Sequence, residues 1–434
     1  MGRIWMHRAV EAIADVGRQY FERPSSKSPL RAAKSLCADL LSGRGEASGT
    51  ALAREVVALY EQMPDLDRLG FLELLAEEYA IDSESAIAAA AAYSAAPDDR
   101  TLSALRRAVE APRQELLRRI NTAPGGTAAI VHMRERLVLA KGNDPALRAL
   151  DDDFRHLLES WFNRGFLQSE RIEWRTPAAI LEKLIAYEAV HEIRGWDDLR
   201  RRLADDRRCF AFFHPALIDE PLIFVEVALT RELSSEIAPL IESQPGNGVD
   251  GKPTTAIFYS ISNCEAGLTG ISFGNLLIKQ VVDALSTELP SIRNFATLSP
   301  IPRFRPWLER TIRDEPPDFL TEEDRLLLSE PGWAEDPVRR AALKPVLTRL
   351  CAVYLSRLDA KGRALDPVAR FHLGNGAAIE RINWEGDLSE RGLAQSAGMM
   401  VNYRYAPDDI VDNHEAYAGR GEIAMSSKVR GMLP

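Results

Sequence analysis

The stretch Ala256-Ile257-Phe258-Tyr259-Ser260-Ile261-Ser262 leads through Asn263-Cys264-Glu265-Ala266 into Gly267-Leu268-Thr269-Gly270-Ile271-Ser272-Phe273-Gly274-Asn275, and then into LLIKQVVDAL at 276–285. The first segment is rich in β-branched and aromatic residues and predicts a strand. The last repeats apolar residues at three- and four-residue steps and predicts an amphipathic helix. Between them, glycines at 267, 270 and 274 let the backbone turn and approach a ligand closely. The free N–H groups at a helix start, with the positive end of its dipole, suit a phosphate or pyrophosphate. A tight strand-to-helix turn without a ligand accounts for the same spacing. Strand, glycine loop and helix in this order belong to a mixed α/β domain. Gly270-Ile271-Ser272-Phe273-Gly274 also matches GxSxG, the serine elbow of α/β-hydrolases. That elbow needs the strand to run directly into the serine, and here about ten residues intervene.

Working outward, the same texture extends through the second half of the chain. Residues 209–213, 222–229, 295–299, 377–384 and 399–405 read as strands. Helical patterns cover 178–190 and an insert at about 321–358. The first 170 or so residues read differently, as one helix after another. Asp82 to Ser85 offers a cap for an alanine-rich run ended by Pro97, and 102–120 is apolar on one face with a break at Pro112. Residues 147–162 place Leu150, Phe154, Leu157, Leu158 and Trp161 at helical steps. The expected organisation is a two-domain α+β chain: an all-helical domain at 1–174, for support or oligomerisation, and a mixed α/β catalytic domain at 175–434.

Composition narrows the function. The 434 residues carry a net charge of −10, a poor setting for nucleic acid, which needs a basic field. No apolar run approaches the roughly 20 residues that span a bilayer, and the amino terminus shows no secretory pattern. The chain ends Gly431-Met432-Leu433-Pro434 and so lacks a Ser-Lys-Leu address. Cys37, Cys209, Cys264 and Cys351 are far apart and form no disulfide or zinc pattern, as expected of a cytoplasmic protein.

Two positions carry candidate chemistry. In Thr297-Leu298-Ser299-Pro300-Ile301-Pro302, Pro300 and Pro302 hold Ser299 and Ile301 extended, which puts a hydroxyl on stiff backbone at a strand end. A plain Ser-Pro turn has the same pattern. In Asp366-Pro367-Val368-Ala369-Arg370-Phe371-His372-Leu373-Gly374-Asn375-Gly376, His372 precedes a glycine turn and a strand. Of the seven histidines it alone is placed like a site residue, and no second His lies close enough to suggest a metal pair. Asn375 either orients His372 or forms the turn. Arg303, Arg305, Arg310 and Arg404 are candidate phosphate partners, or equally members of a solvated surface.

Taken together, AIFYSIS at 256–262, GLTGISFGNLLIKQVV at 267–282, TLSPIPRF at 297–304, DPVARFHLGNGA at 366–377, RINW at 381–384 and MMVNYRY at 399–405 resemble the malonyl-CoA decarboxylase family. The resemblance covers most of the second domain. It implies a GNAT-like N-acetyltransferase fold, a twisted mixed sheet splayed to admit acyl-CoA. It implies that malonyl-CoA is converted to acetyl-CoA and CO2, with no metal or prosthetic group, in a homotetramer. Ser299 and His372 map onto the family's catalytic serine and histidine. The loop Gly267 to Asn275 maps onto the coenzyme A pyrophosphate site, and Pro300, Ile301, Arg303, Asn375, Tyr403 and Arg404 become further substrate contacts. Animal members have a glutamate where this chain has Ser272, so no role built on that acid transfers. An N-acyltransferase on the same fold, a Ser272 thioesterase and a non-catalytic acyl-CoA sensor are the competing readings.

Overall fold

The structure is a computed structural model that describes residues 28–42, 46–162, 164–242, 252–271 and 277–434. It contains two compact units. The first is helical: α1 (Pro29–Leu41), α2 (Glu46–Gln62), α3 (Asp65–Glu78), α4 (Ser83–Ala95), α5 (Asp99–Ala108), α6 (Pro112–Ile120), α7 (Gly126–Ala140) and α8 (Pro145–Trp161). Sequence signals set these ends. Asp82, Asp98 and Asp144 accept backbone N–H groups at the starts of α4, α5 and α8. Pro112 stands at the first turn of α6 and separates it from α5, where the sequence predicts a break. On α8 the periodic Leu150, Phe154, Leu157 and Leu158 are all buried. The most enclosed helix is α7, which buries Ala129, Ile130, Val131, Met133, Arg134 and Leu137.

The second unit begins at Gln168, not at the expected residue 175, because β1 (Gln168–Ile172) pairs antiparallel with β2 (Arg207–Phe213). The sheet continues through β3 (Pro221–Thr230), β4 (Thr255–Asn263), β5 (Asn294–Thr297), β6 (Ser299–Pro300), β7 (Ala378–Asn383) and β8 (Met400–Arg404). Its order is β1-β2-β3-β4-β5-β8-β6, with β7 also on β8. Helices α9 (Ala178–Tyr187), α10 (Trp196–Arg202), α11 (Ala238–Glu242), α12 (Leu277–Glu288), α13 (Phe304–Asp314), α14 (Glu322–Ser329), α15 (Pro337–Ser356), α16 (Pro367–Gly374), α17 (Glu390–Ser396), α18 (Ile410–Arg420) and α19 (Ser427–Arg430) complete it.

All six predicted strands form. The polar sequence QSERI of β1 carries no alternation, and four of its five residues are exposed, so that edge strand left no sequence signal. Ile180, Leu181 and Leu184 of α9 cover Cys209, Ala211, Phe213 and Phe224 of the sheet. Beside this core Arg202 and Glu226, both fully buried, form an ion pair at 2.8 Å.

One feature of the sheet positions the site. β4 and β5 are parallel, and their register ends at Phe258 opposite Thr297, after which Leu298 N–H donates to Phe258 O at 2.9 Å. β4 runs on to Asn263, while the other chain turns away through Ser299–Pro300 to pair with Val401 and Met400 of β8. Pro300 lacks an N–H and suits this short edge segment. The sheet therefore splays at this point, as the resemblance implies.

Candidate active site

The splay opens into a cavity of about 230 Å³ whose walls come from β4, β6 and α16. Phe258, Ser260, Ile261 and Asn263 belong to β4, Ser299 and Pro300 to β6, and Pro367, Val368, Phe371 and His372 to α16. Asp366 caps α16 by accepting the N–H groups of Val368 and Ala369, each at 2.9 Å, and Pro367 fills its first turn. His372 lies in the last turn of this helix. At the far end Asn375 Nδ2 donates to Phe371 O at 2.8 Å.

Ser299 and His372, 73 residues apart in sequence, meet in the cavity wall with Ser299 Oγ 3.0 Å from His372 Nε2. The Ser299 hydroxyl donates to Thr297 Oγ1 at 2.8 Å, and the Tyr403 backbone N–H donates to the same oxygen at 3.1 Å. On the other side of the imidazole, Nδ1 lies 2.8 Å from the Tyr405 hydroxyl. The Tyr403 ring stacks on the imidazole, with centroids 4.6 Å apart and planes 26° from parallel. Burial alone pushes His372 down to about 3, so the imidazole is neutral near pH 7. Burial also pushes the Tyr405 phenol well up, so it keeps its proton.

A neutral imidazole has one N–H and one lone pair. Which nitrogen carries the proton sets whether Nε2 donates to Ser299 Oγ or accepts from it, and likewise the role of Tyr405 at Nδ1. The pair carries no formal charge.

The other expected site residues fall in several places. Pro300 lines the cavity, whereas Ile301 is fully buried and does not. Tyr403 is also fully buried, stacked behind His372, and its hydroxyl has no partner among the described residues. Asn375 is spent on the helix end. Arg303 is exposed at the start of α13, and its charge acts on the nearby Asp366. Arg305 is held by Glu309 and Glu335, while Arg310 is exposed. Arg404 pairs with Glu380 at 3.2 Å and lines a different, polar cavity.

Within the glycine loop, Gly267 and Leu268 are buried in the helical unit, and Thr269 and Gly270 are exposed. Ile271 is buried, and Ser272, Phe273, Gly274 and Asn275 lie outside the described residues. The need for glycine at 267 comes from packing: a Cβ there would stand 2.1 Å from Val131 O of α7. Gly270 has φ +78°, a backbone conformation that favours glycine. Among the described residues no group of three or more His, Cys, Asp or Glu side chains is arranged to hold a metal.

Sequence reasoning left Thr297 and Tyr405 unassigned. A period-2 signal was present for both, since Thr297 stands two residues before Ser299 and Tyr405 two residues after Tyr403, on extended backbone.

Comparisons with known proteins show the family. The model of the malonyl-CoA decarboxylase C-terminal domain matches residues 165–434, and that of the N-terminal domain matches 79–162. A mitochondrial malonyl-CoA decarboxylase of Anser anser anser is 40% identical over 341 residues, 72% of this chain and 68% of that protein. The mitochondrial enzyme of Rattus norvegicus is 33% identical over 428 residues, 92% and 86% of the two chains. Among solved structures, malonyl-CoA decarboxylase from Rhodopseudomonas palustris is 51% identical with a TM-score of 0.87, covering 94% of this chain and all of that one. The Agrobacterium vitis enzyme is 49% identical with a TM-score of 0.84, over 92% and 99% of the two chains. With both domain models matched in order and these relatives aligned along nearly the whole length, this chain belongs to the malonyl-CoA decarboxylase family and is a carboxy-lyase.

Proposed function

We propose that Ser299 and His372 carry the family's reaction in this chain, the conversion of malonyl-CoA to acetyl-CoA and CO2. The observation that supports this most directly is the 3.0 Å approach of Ser299 Oγ to His372 Nε2 in the wall of a cavity at the sheet splay. The bond between the α-carbon and the carboxylate breaks when it stands perpendicular to the thioester plane. Its electron pair then flows into the thioester as an enolate, the carboxylate leaves as CO2, and the α-carbon takes up one proton. The thioester is itself the electron sink.

What remains for the protein is to hold this geometry and stabilise the enolate oxygen. Fixed geometry can contribute roughly 7–11 kcal/mol, and one aimed donor roughly 2.7–4 kcal/mol. His372 Nε2–H is a neutral donor in a buried setting and suits the enolate oxygen. Ser299, accepting from that N–H, keeps the imidazole aimed at the reacting atoms. The α-carbon takes its proton from His372 Nε2 as Tyr405 passes its own to Nδ1, and solvent then returns one proton to Nε2 as Tyr405 takes its own back, so that the resting site is restored. Phe258, Val368 and Phe371 supply an apolar wall that favours loss of charge from the carboxylate.

For the coenzyme A end, the exposed Thr269 and Gly270, with the segment through Asn275 ahead of α12, are the proposed pyrophosphate contact. Arg303 is the proposed cation for an anionic group of the substrate. A homo-oligomer working in the cytoplasm completes the reading. Four buried cysteine thiols suit a reducing compartment.

Mass spectrometry of the protein incubated with malonyl-CoA tests the reaction. Acetyl-CoA is the expected product, while free CoA would point to a thioesterase and unchanged substrate to a sensor. Ser299→Ala is expected to lower kcat on the order of 10²-fold. Near-normal turnover in that variant removes Ser299 from the mechanism.

A further inference from the structure

We propose that Thr297 is a positioning residue that sets the direction of the Ser299 hydroxyl and thereby the proton on His372 Nε2. The inference rests on the catalytic reading of Ser299 and His372 and adds the group that polarises them. A Ser–His contact alone permits two proton patterns. In one, the serine donates to the imidazole and is poised as a nucleophile. In the other, the imidazole donates to the serine and is poised as a donor.

Thr297 decides between the two patterns. Its Oγ1 accepts the Tyr403 backbone N–H at 3.1 Å, which anchors that oxygen beside Ser299. The β-branched side chain has few χ1 choices in a strand, and Thr297 is fully buried. The Ser299 hydroxyl donates into this acceptor at 2.8 Å. The serine proton therefore points away from the imidazole, and its lone pair faces Nε2 at 3.0 Å. At the opposite ring nitrogen, Tyr405 lies 2.8 Å from Nδ1 and is free to donate. The imidazole is thus set up as the donor toward an enolate, opposite to the polarity of a nucleophilic serine.

The proton on His372 can be read directly by two-bond proton–nitrogen correlation spectra of the full-length protein labelled at histidine nitrogen, with a His372→Gln sample assigning the signals. Wild type is expected to show the Nε2–H tautomer, and an Nδ1–H tautomer overturns the proposal without need of any variant. Thr297→Val keeps the shape and removes the acceptor. It is expected to shift the tautomer population and lower kcat about tenfold at little-changed KM, the worth of one net hydrogen bond. Thr297→Ser restores the acceptor and is expected to stay within about twofold of wild type.

A Thr297→Val enzyme with wild-type tautomer and kcat overturns the proposal. So does a Thr297→Ser enzyme that loses as much as the valine variant, since packing would then be the cause. Should the valine variant fail to fold by circular dichroism, the wild-type tautomer and the serine variant still decide. Undiminished turnover in Ser299→Ala is a separate failure. It removes the catalytic reading and leaves the tautomer measurement standing.

Discussion

At the scale of single residues, the site depends on keeping an imidazole uncharged. Burial is the cause that pushes His372 down to about 3, against an ordinary value of about 6.5. Between those two values the unfolded chain binds a proton that the folded one refuses. The stability that goes with the neutral ring is fully present above about pH 6.5 and is lost progressively as pH falls toward 3. Thermal midpoints measured from pH 7 to 4 should therefore decline, with a shallower slope in His372→Gln. The kcat profile should show no titration of His372 between pH 6 and 8. An acid limb near 6.5 that disappears in the His372 variant would contradict this account. In the sequence Ser299 and His372 were candidates, one through the prolines that stiffen its strand end and one through its place before a glycine turn, and only the family resemblance paired them. Thr297 and Tyr405 were not candidates, because their roles consist of contacts to side chains distant in the chain.

At the scale of elements, α16 carries most of the consequence. The sequence places His372 before a glycine turn and assigns no element to 366–374, whereas Pro367–Gly374 is a helix with Asp366 as its cap. The Asp-Pro pair is a standard helix start, but eight residues with a glycine after them show too little periodicity to be read as helical. Asp366 is fully buried, and Tyr354 O–H donates to its second oxygen at 3.2 Å. Asp366→Ala leaves two N–H groups and a phenol without their acceptor. It should cost about 1–2 kcal/mol in urea denaturation, with a fall in kcat because the helix end that carries His372 loosens. Asp366→Asn retains an acceptor oxygen and should lose less. If Asp366→Ala matched wild type in both measurements, the cap would have no part in holding His372. The β strands were legible because each buries apolar residues in a short run. β1 was the exception because it is an exposed, polar edge whose pairing comes from β2 alone.

At the scale of the whole molecule, the two compact units are not continuous in sequence. Residues 265–271 and His214–Glu220 pack with the helical unit, although each lies between strands of the sheet. Arg134 Nη1 of α7 donates to Gly267 O at 2.6 Å and its Nε to Asp151 at 2.8 Å, so the loop backbone is tied into a buried ion pair. Gly267→Ala puts a methyl group against Val131 backbone and should lower stability by about 1–3 kcal/mol, an ordinary overpacking cost. Thermal unfolding checks this, and an unchanged midpoint would mean the loop moves aside freely.

Within the glycine loop, positions 267 and 270 have different reasons for being glycine. Position 267 is set by close packing and 270 by backbone conformation. Residue order and composition were enough to determine the two-part α+β architecture and six strands, because periodicity, prolines and glycines act locally along the chain, and the ordered blocks were enough to reach the family. Only the tertiary structure decided where the sheet splays and which side chains gather around Ser299 and His372. Those depend on the meeting of β5, β8 and α16, and no local pattern records which distant side chains will lie within 3 Å of one another.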